Sequence, residues 1–331
     1  MCMGMSSAKF WPDTNLIMQT TRRDFLSQSM ALTAVTMLPR KPITVPVPAI
    51  DTHTHFYDPT RKQGVPWPKP EEKILYKPHY PAQFRALTSP LNIVGTVVVE
   101  ASPWVEDNQW ILDLAKENAD IVGFIGNLKL GAPEFPALLN RFSANPLFRG
   151  LRVGEKLIAE GLGQAAFERD LQRLGEQKFT LDVIGGATLL PNLTRITKLA
   201  PKLRIVIDHL PFAAWDKDSS AMKAALTGVA RLPQVYAKVS NVVRRLDGRM
   251  IEDLAAYRPH LDVLGELFGA DRVVFGSNWP VSNLVAPYDN LHKIVVEYFG
   301  EKGQANAEKF FWRNSRRAYS WVPRGKAKEL K

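Results

Sequence analysis

Two histidines one residue apart, His53 and His55, close a short apolar run as Asp51-Thr-His-Thr-His. In an extended chain, residues two apart project to the same side, so both imidazoles can address one point. Imidazole is the side chain that, near neutral pH, can hold a metal, accept a proton or donate one. A third histidine, His209, directly follows the β-rich run 203–208, and Gly276-Ser277-Asn278-Trp279-Pro280 closes the last such run. Three of the chain's six histidines thus stand at the ends of β-rich runs. The other three read as surface residues, His79 in a Pro-rich stretch and His260 and His292 in helical patterns.

Groups so far apart in sequence meet only if the fold gathers strand ends. Eight β-rich runs follow one another at 49–53, 93–100, 121–128, 148–153, 179–184, 203–208, 234–240 and 272–277. Most are dense in Val, Ile, Leu and Phe rather than alternating, as parallel strands covered on both faces require. Helical periodicity fills the intervals at 108–118, 133–144, 163–177, 192–199, 219–232 and 250–268, with stripes such as Phe167-Leu171-Leu174 and Leu254-Leu261-Leu264-Phe268. This alternation over roughly 270 residues predicts a single (β/α)8 TIM barrel at 49–320, whose strand C-termini share one rim. A doubly wound open sheet is the runner-up, but it usually carries a Gly-rich phosphate turn after its first strand, and here that turn has no glycine. The stretch from Phe56 to Pro81, with six prolines, Trp67 and Tyr76, is expected to form a lid or wall at the mouth. A basic C-terminal tail at 321–331 is expected to fray.

The front of the chain reads as an address. Arg22-Arg23-Asp24-Phe25-Leu26, an uncharged stretch of about twelve residues, and a Pro-rich linker at 41–48 resemble a twin-arginine export signal over 1–40. The expectation is a periplasmic protein delivered by the twin-arginine machinery, with the single cysteine, Cys2, lost with the signal. The net charge of +10 is concentrated partly at the two ends and forms no dense basic run between them, so nucleic acid is not an expected partner. A small-molecule substrate is.

The motifs Asp51-Thr-His-Thr-His-Phe-Tyr-Asp-Pro, Val98-Val-Glu-Ala-Ser, Phe148-Arg-Gly-Leu-Arg, Ile207-Asp-His-Leu, Ala237-Lys-Val-Ser and Phe275-Gly-Ser-Asn-Trp-Pro occur in the order of the amidohydrolase superfamily. They most resemble its amidohydrolase-2 branch, which includes sugar-acid lactonases and a pyrone-dicarboxylate hydrolase. The resemblance implies a barrel, hydrolysis by water, and often one divalent metal, zinc foremost, at the strand ends. It makes His53, His55 and His209 metal ligands, with Glu100 an acidic position beside them, and His209 and Asn278 the catalytic positions. It makes Arg152 and Lys238 substrate-binding groups, with a rim salt bridge for Arg152 and a snorkelling surface position for Lys238 as their plain structural readings. Trp104, Asn127 and Trp279 are candidate pocket walls, with ordinary core packing as their plain structural reading.

One position departs from the pattern. Where hydrolases of this superfamily usually carry Asp after the eighth strand, this chain has Asn278. An amide supplies neither a general base nor a charge to offset a dication. Hydrolysis of a cyclic ester, a sugar-acid lactone first, tolerates a weakened base best. Alternatives are a metal-free site, decarboxylation of a small unsaturated acid on the same fold, and a non-catalytic binding or structural barrel.

Overall fold

The computed structural model describes residues 47–210 and 219–330. The export signal, and the linker through residue 46, lie outside the described residues. Eight parallel strands form one sheet in sequence order: β1 (Ala49–Thr54), β2 (Ile93–Val99), β3 (Ile121–Gly126), β4 (Phe148–Gly154), β5 (Thr180–Ile184), β6 (Arg204–Ile207), β7 (Val235–Val239) and β10 (Val273–Phe275). A two-stranded hairpin, β8 (Arg245–Leu246) and β9 (Arg249–Met250), is inserted after β7. Parallel neighbours with a helix between them, in unbroken order around the sheet, make the (β/α)8 barrel that the sequence pattern predicts.

The sheet nearly closes on itself. β10 reaches β1 through one parallel bridge, Thr54 to Trp279, and through individual hydrogen bonds rather than a full ladder. His55 N donates to Trp279 O at 2.8 Å, and Asn278 N to His53 O at 2.8 Å. Thr52 Oγ1 donates to Phe275 O at 2.5 Å. The buried Asp51 completes the seam, accepting from the Ser277 amide at 2.8 Å and from the Tyr288 hydroxyl at 2.9 Å. Burial pushes the Asp51 carboxyl up to about 6 despite these donors. Close approach at the seam requires Gly276, because a Cβ there would stand 2.7 Å from His53 Cβ. The residues that close the barrel are therefore the neighbours of the residues that could do chemistry.

Most of the strands are apolar because they are covered on both faces. β2 is buried at every position, and helix Ala165–Glu176 buries Phe167, Leu171 and Leu174 on its inner face. Side chains of this size each contribute about 1.5–3 kcal/mol on burial. The stripe Leu254-Leu261-Leu264-Phe268 is buried too, but its segment is not one helix. β9 occupies Arg249–Met250, a short turn of helix covers Leu254–Ala256, and the helix proper runs Arg258–Phe268. The cause is Asp247-Gly248, both at positive φ (49° and 76°), a type I′ turn that commits the flanking residues to a hairpin.

Two further expectations are corrected. The C-terminal segment does not fray. Trp321, Ala327 and Leu330 are buried, Val322 N donates to Val122 O at 2.8 Å, and Arg316 holds Leu330 O at 2.8 Å. Small apolar residues among the lysines anchor it. His79 and His292 are not surface residues either. His79 is buried between Tyr57 and Trp279, and His292 packs against Phe275, Tyr288 and Phe311.

Candidate active site

The strand ends gather the three expected histidines. His53 is fully buried on β1, His55 is buried just beyond it, and His209 is half-buried beyond β6. The ring centroids of His53 lie 5.0 Å from His55 and 4.6 Å from His209. His209 and Asn278 both hold left-handed backbone, at φ 60° and 64°, which turns the chain sharply at the rim. Ser240 steadies His209, with its Oγ 2.8 Å from Nδ1 and accepting from the His209 amide at 3.2 Å.

All three rings are held neutral. Burial drives His55 down to about 3, aided by the nearby Arg152 charge, and burial drives His209 down to about 4. Burial also takes His53 well below the ordinary histidine range, although Asp208 opposes it. Neutral imidazoles keep a lone pair for a metal or a proton. For His55 the free atom is defined: Nδ1 lies 2.9 Å from the Val99 carbonyl and must donate to it, which leaves Nε2 as the acceptor. That Nε2 stands 3.2 Å from Asn278 Oδ1. Two acceptors then face one another, an arrangement that a cation held between them or a 180° turn of the amide would relieve.

Beneath the rings lies a group that the sequence only half disclosed. Lys238 is fully buried inside the barrel, not snorkelling at its surface. Its Nζ lies 2.6 Å from Asp182 Oδ2, 2.9 Å from Asp208 Oδ1 and 3.3 Å from His53 Nδ1. The Tyr319 hydroxyl donates to Asp182 Oδ2 at 3.1 Å. Two carboxylates outweigh burial and hold the Lys238 ammonium above its usual range. Asp182 and Asp208 were not singled out from the sequence. Asp208 was visible as the residue before His209, whereas Asp182 is a lone acid inside an apolar strand.

Glu100 lies elsewhere in the arrangement. Arg152 Nε donates to its carboxylate at 2.7 Å and Arg152 Nη2 to its backbone carbonyl at 2.9 Å. Among the described residues, the groups whose ligand atoms converge within 4.8 Å are His53, Asp208 and His209. The carboxylate of that group is Asp208, and Glu100 is not part of it. The set suits a divalent ion: His53 Nε2 and Asp208 Oδ2 are buried without a hydrogen-bond partner, and Nε2 of His209 is left by the contact of Nδ1 with Ser240.

The expected walls divide. Trp67, in the Pro-rich segment, places its ring 6.4 Å from His55. That segment is clamped at its neck by paired backbone hydrogen bonds between Tyr57 and His79, and Arg61 ties it to Asp107 at 2.8 Å. Trp104 is exposed at the start of helix Val105–Glu117. Asn127 is half-buried and bonds the β2 and β3 loops, its Nδ2 donating to Ser102 O at 3.4 Å. Trp279 is core rather than wall, 2% exposed and packed on Phe56, His79 and Phe84. A separate cavity of about 460 Å³ opens between helices Arg258–Phe268 and Tyr288–Glu301. Its polar groups are paired: Tyr298 and Lys302 donate to Asp262, Glu266 faces Lys223, and Asn306 donates to Lys302 O.

The chain is 28% identical over 244 residues to an L-fucono-1,5-lactonase of Burkholderia ambifaria, covering 72% of this chain and 82% of that protein. It is similar in structure to an amidohydrolase from Burkholderia multivorans with bound zinc, with a TM-score of 0.73, 25% identity, and coverage of 83% of this chain and 99% of that one. A 5-carboxyvanillate decarboxylase from Novosphingobium aromaticivorans shares the fold, with a TM-score of 0.60, 15% identity, and coverage of 84% and 97%. The amidohydrolase family model (Amidohydro_2) matches residues 50–321, nearly the whole of the described barrel, and the chain belongs to that family.

Proposed function

We propose that the protein hydrolyses a small cyclic ester, an aldono-1,5-lactone being the first candidate, at the mouth formed by His53, His55, His209, Arg152 and Asn278. The observation that carries this reading is the convergence of three neutral imidazoles at the strand ends of an amidohydrolase barrel similar to L-fucono-1,5-lactonases. A lactone carbonyl is activated enough to need only modest help, which suits a mouth with Asn278 in place of a carboxylate.

The residues divide the work. His55 Nε2, the lone pair left by the Val99 contact, accepts the proton of a water that bonds to the lactone carbonyl carbon, and returns it to the ring oxygen as the acyl C–O bond breaks. Arg152, braced by Glu100, orients a hydroxyl or carboxylate of the sugar acid. Asn278 stands beside His55 Nε2 where relatives of the superfamily carry a carboxylate, and the Pro-rich wall with Trp67 limits bulk water. A divalent metal, suggested by the His53-Asp208-His209 group and by the zinc-bound neighbour, would be held by those three residues and would supply Lewis-acid polarisation.

Decarboxylation on the same fold is the second reading, and the shared fold of a known decarboxylase favours it. A panel of aldonolactones assayed by acid release, beside unsaturated and aromatic acids assayed by carbon dioxide release, separates the two. Acid release alone supports the first reading, and carbon dioxide release alone replaces it with the second. We further propose periplasmic delivery of the folded protein through Arg22-Arg23.

A further inference from the structure

Several cations that are scattered in sequence are neighbours in space. Arg313, Arg316 and Arg317 stand three and four positions apart on the helical segment 304–319, so they share one face. Lys328 comes onto the same cavity, of about 450 Å³, from the turn Gly325–Glu329, and the remaining lining is apolar, with no carboxylate. The cavity lies at the N-terminal end of the barrel, opposite the mouth, because Val322 N donates to the carbonyl of Val122, the second residue of β3. Two further guanidiniums rise beside it from strand starts, Arg149 at the second position of β4 and Arg204 at the first of β6. Trp321 joins the two groups: the Arg316 guanidinium lies 5.3 Å from its ring, and its Cβ and Arg149 Cγ both lie against Gly123, 3.6 and 3.2 Å from where a Cβ would stand.

Like charges on one helix face repel, and the carboxylates that offset them are few. Glu308 pairs with Arg313 at 2.9 Å, and Asp271 is divided between Arg317 at 3.1 Å and Lys309 at 3.0 Å. Arg316 donates to the Leu330 carbonyl, and Lys328 has no partner among the described residues. Arg149 and Arg204 likewise donate only to carbonyls, those of Pro146 and Lys178, and the Nε of each is buried without a partner. Burial lowers both guanidiniums, and the Arg149 charge lowers Arg204 further. Partly buried guanidiniums with no paired carboxylate cost the fold free energy that a bound anion returns.

We propose that this end of the barrel binds a phosphate-class oxyanion, held by Arg313, Arg316, Arg317 and Lys328, with Arg149 and Arg204 adding positive potential beside it. Cations reaching one cavity from a helix face and from an opposing turn suit a multiply charged tetrahedral anion, whereas a carboxylate fills a single guanidinium fork. A free phosphate and a phospholipid headgroup offer the same chemistry. The site depends on neither the lactonase reading nor the export reading, since the mouth is at the other end of the barrel.

The test is calorimetric titration of chelator-washed full-length protein with inorganic pyrophosphate, beside co-sedimentation with phosphatidylglycerol vesicles and with phosphatidylcholine vesicles. Saturable pyrophosphate binding supports the proposal with a soluble ligand. Sedimentation with phosphatidylglycerol but not phosphatidylcholine, without pyrophosphate binding, supports it with the headgroup as the source. Either binding is expected to weaken by roughly tenfold or more in the double variant Arg316→Gln/Lys328→Gln and to weaken as sodium chloride rises from about 50 to about 200 mM. It is expected to be unaltered in Arg152→Gln, which removes a cation of the mouth. Lys328 is exposed, so Lys328→Gln alone carries the test, at roughly threefold, if the double variant does not fold. Wild-type protein that binds neither probe overturns the proposal, as does binding that a folded variant at these positions retains in full or that Arg152→Gln removes.

Discussion

Replacing Asn278 by Asp changes one atom at the most informative contact in the mouth. The amide sits 3.2 Å from His55 Nε2, an atom that can only accept while Nδ1 donates to Val99. A carboxylate there would place a full negative charge beside that nitrogen. At a charge separation of about 4 Å and an effective dielectric near 20, the attraction between an imidazolium and a carboxylate is about 4 kcal/mol, equivalent to about three pKa units. His55, held at about 3 by burial and by Arg152, would then titrate near 6. Below that pH the pair is locked as a salt bridge, and above it the new carboxylate is a free base. In Asn278→Asp, aldonolactone hydrolysis followed with a pH indicator from pH 5 to 8.5 should therefore show a new ionisation near 6. Its plateau should lie roughly 10²-fold above wild type, the lower end of general-base contributions. A fall of tenfold or more at every pH would refute the reasoning, because it would make the Asn278 NH2 a required donor to substrate rather than a vacancy for a base.

Three other perturbations follow from the same geometry. His53→Ala should abolish zinc binding measured by calorimetry on the chelated protein, while the far-ultraviolet circular dichroism of the barrel is unchanged; full zinc uptake would place the metal elsewhere. Acidification should destabilise the fold: His55 and His209 have folded pKa values of about 3 and 4, below the unfolded value of 6.5, so the stability they carry is complete above pH 6.5 and is lost as pH falls toward those values. Between pH 6.5 and 4.5 each loses at most about 2.7 kcal/mol, as do His79 and His292, both lowered to about 4, while Asp51, raised to about 6, returns about 2 kcal/mol and Asp182, raised to about 7, at most about 2.7 kcal/mol over the same window. Urea midpoints of the chelated protein at pH 7 and pH 4.5 should show a net loss, and equal midpoints would contradict buried neutral imidazoles. Finally, changing Arg22 and Arg23 together to Lys should leave the precursor in the cytoplasm, and undiminished periplasmic recovery would rule out the twin-arginine route.

The strands were legible because their runs of Val, Ile and Leu are long, and because the positions of His53 and His55 follow from the two-residue period of an extended chain. The buried charges were not. Val235-Tyr-Ala-Lys-Val reads as a strand with a tolerable surface lysine, and only barrel closure turns Lys238 inward onto Asp182, which lies 56 residues away in sequence. Helical periodicity misled at 250–268 because the buried leucines there share an apolar face without sharing a helix, although Asp247-Gly248 already carried the hairpin signal. Glu100 was legible as an acid at a strand end, but its partner Arg152 lies two strands away, so its pairing could not be read from spacing. The tail was misjudged by charge count, since Ala327 and Leu330 anchor it from among the lysines.

The central claim is that this mouth hydrolyses a lactone ring. The direct measurement is acid release from a panel of aldono-1,5-lactones by the chelated and the zinc-loaded wild-type protein, corrected for spontaneous opening, with His55→Ala as the control. The account predicts a kcat/KM of about 10⁴ M⁻¹ s⁻¹ or more for at least one lactone, within the ordinary enzymatic range, and loss of that activity in the control. Folded wild-type protein that leaves every lactone opening at its spontaneous rate, in both metal states, would contradict it.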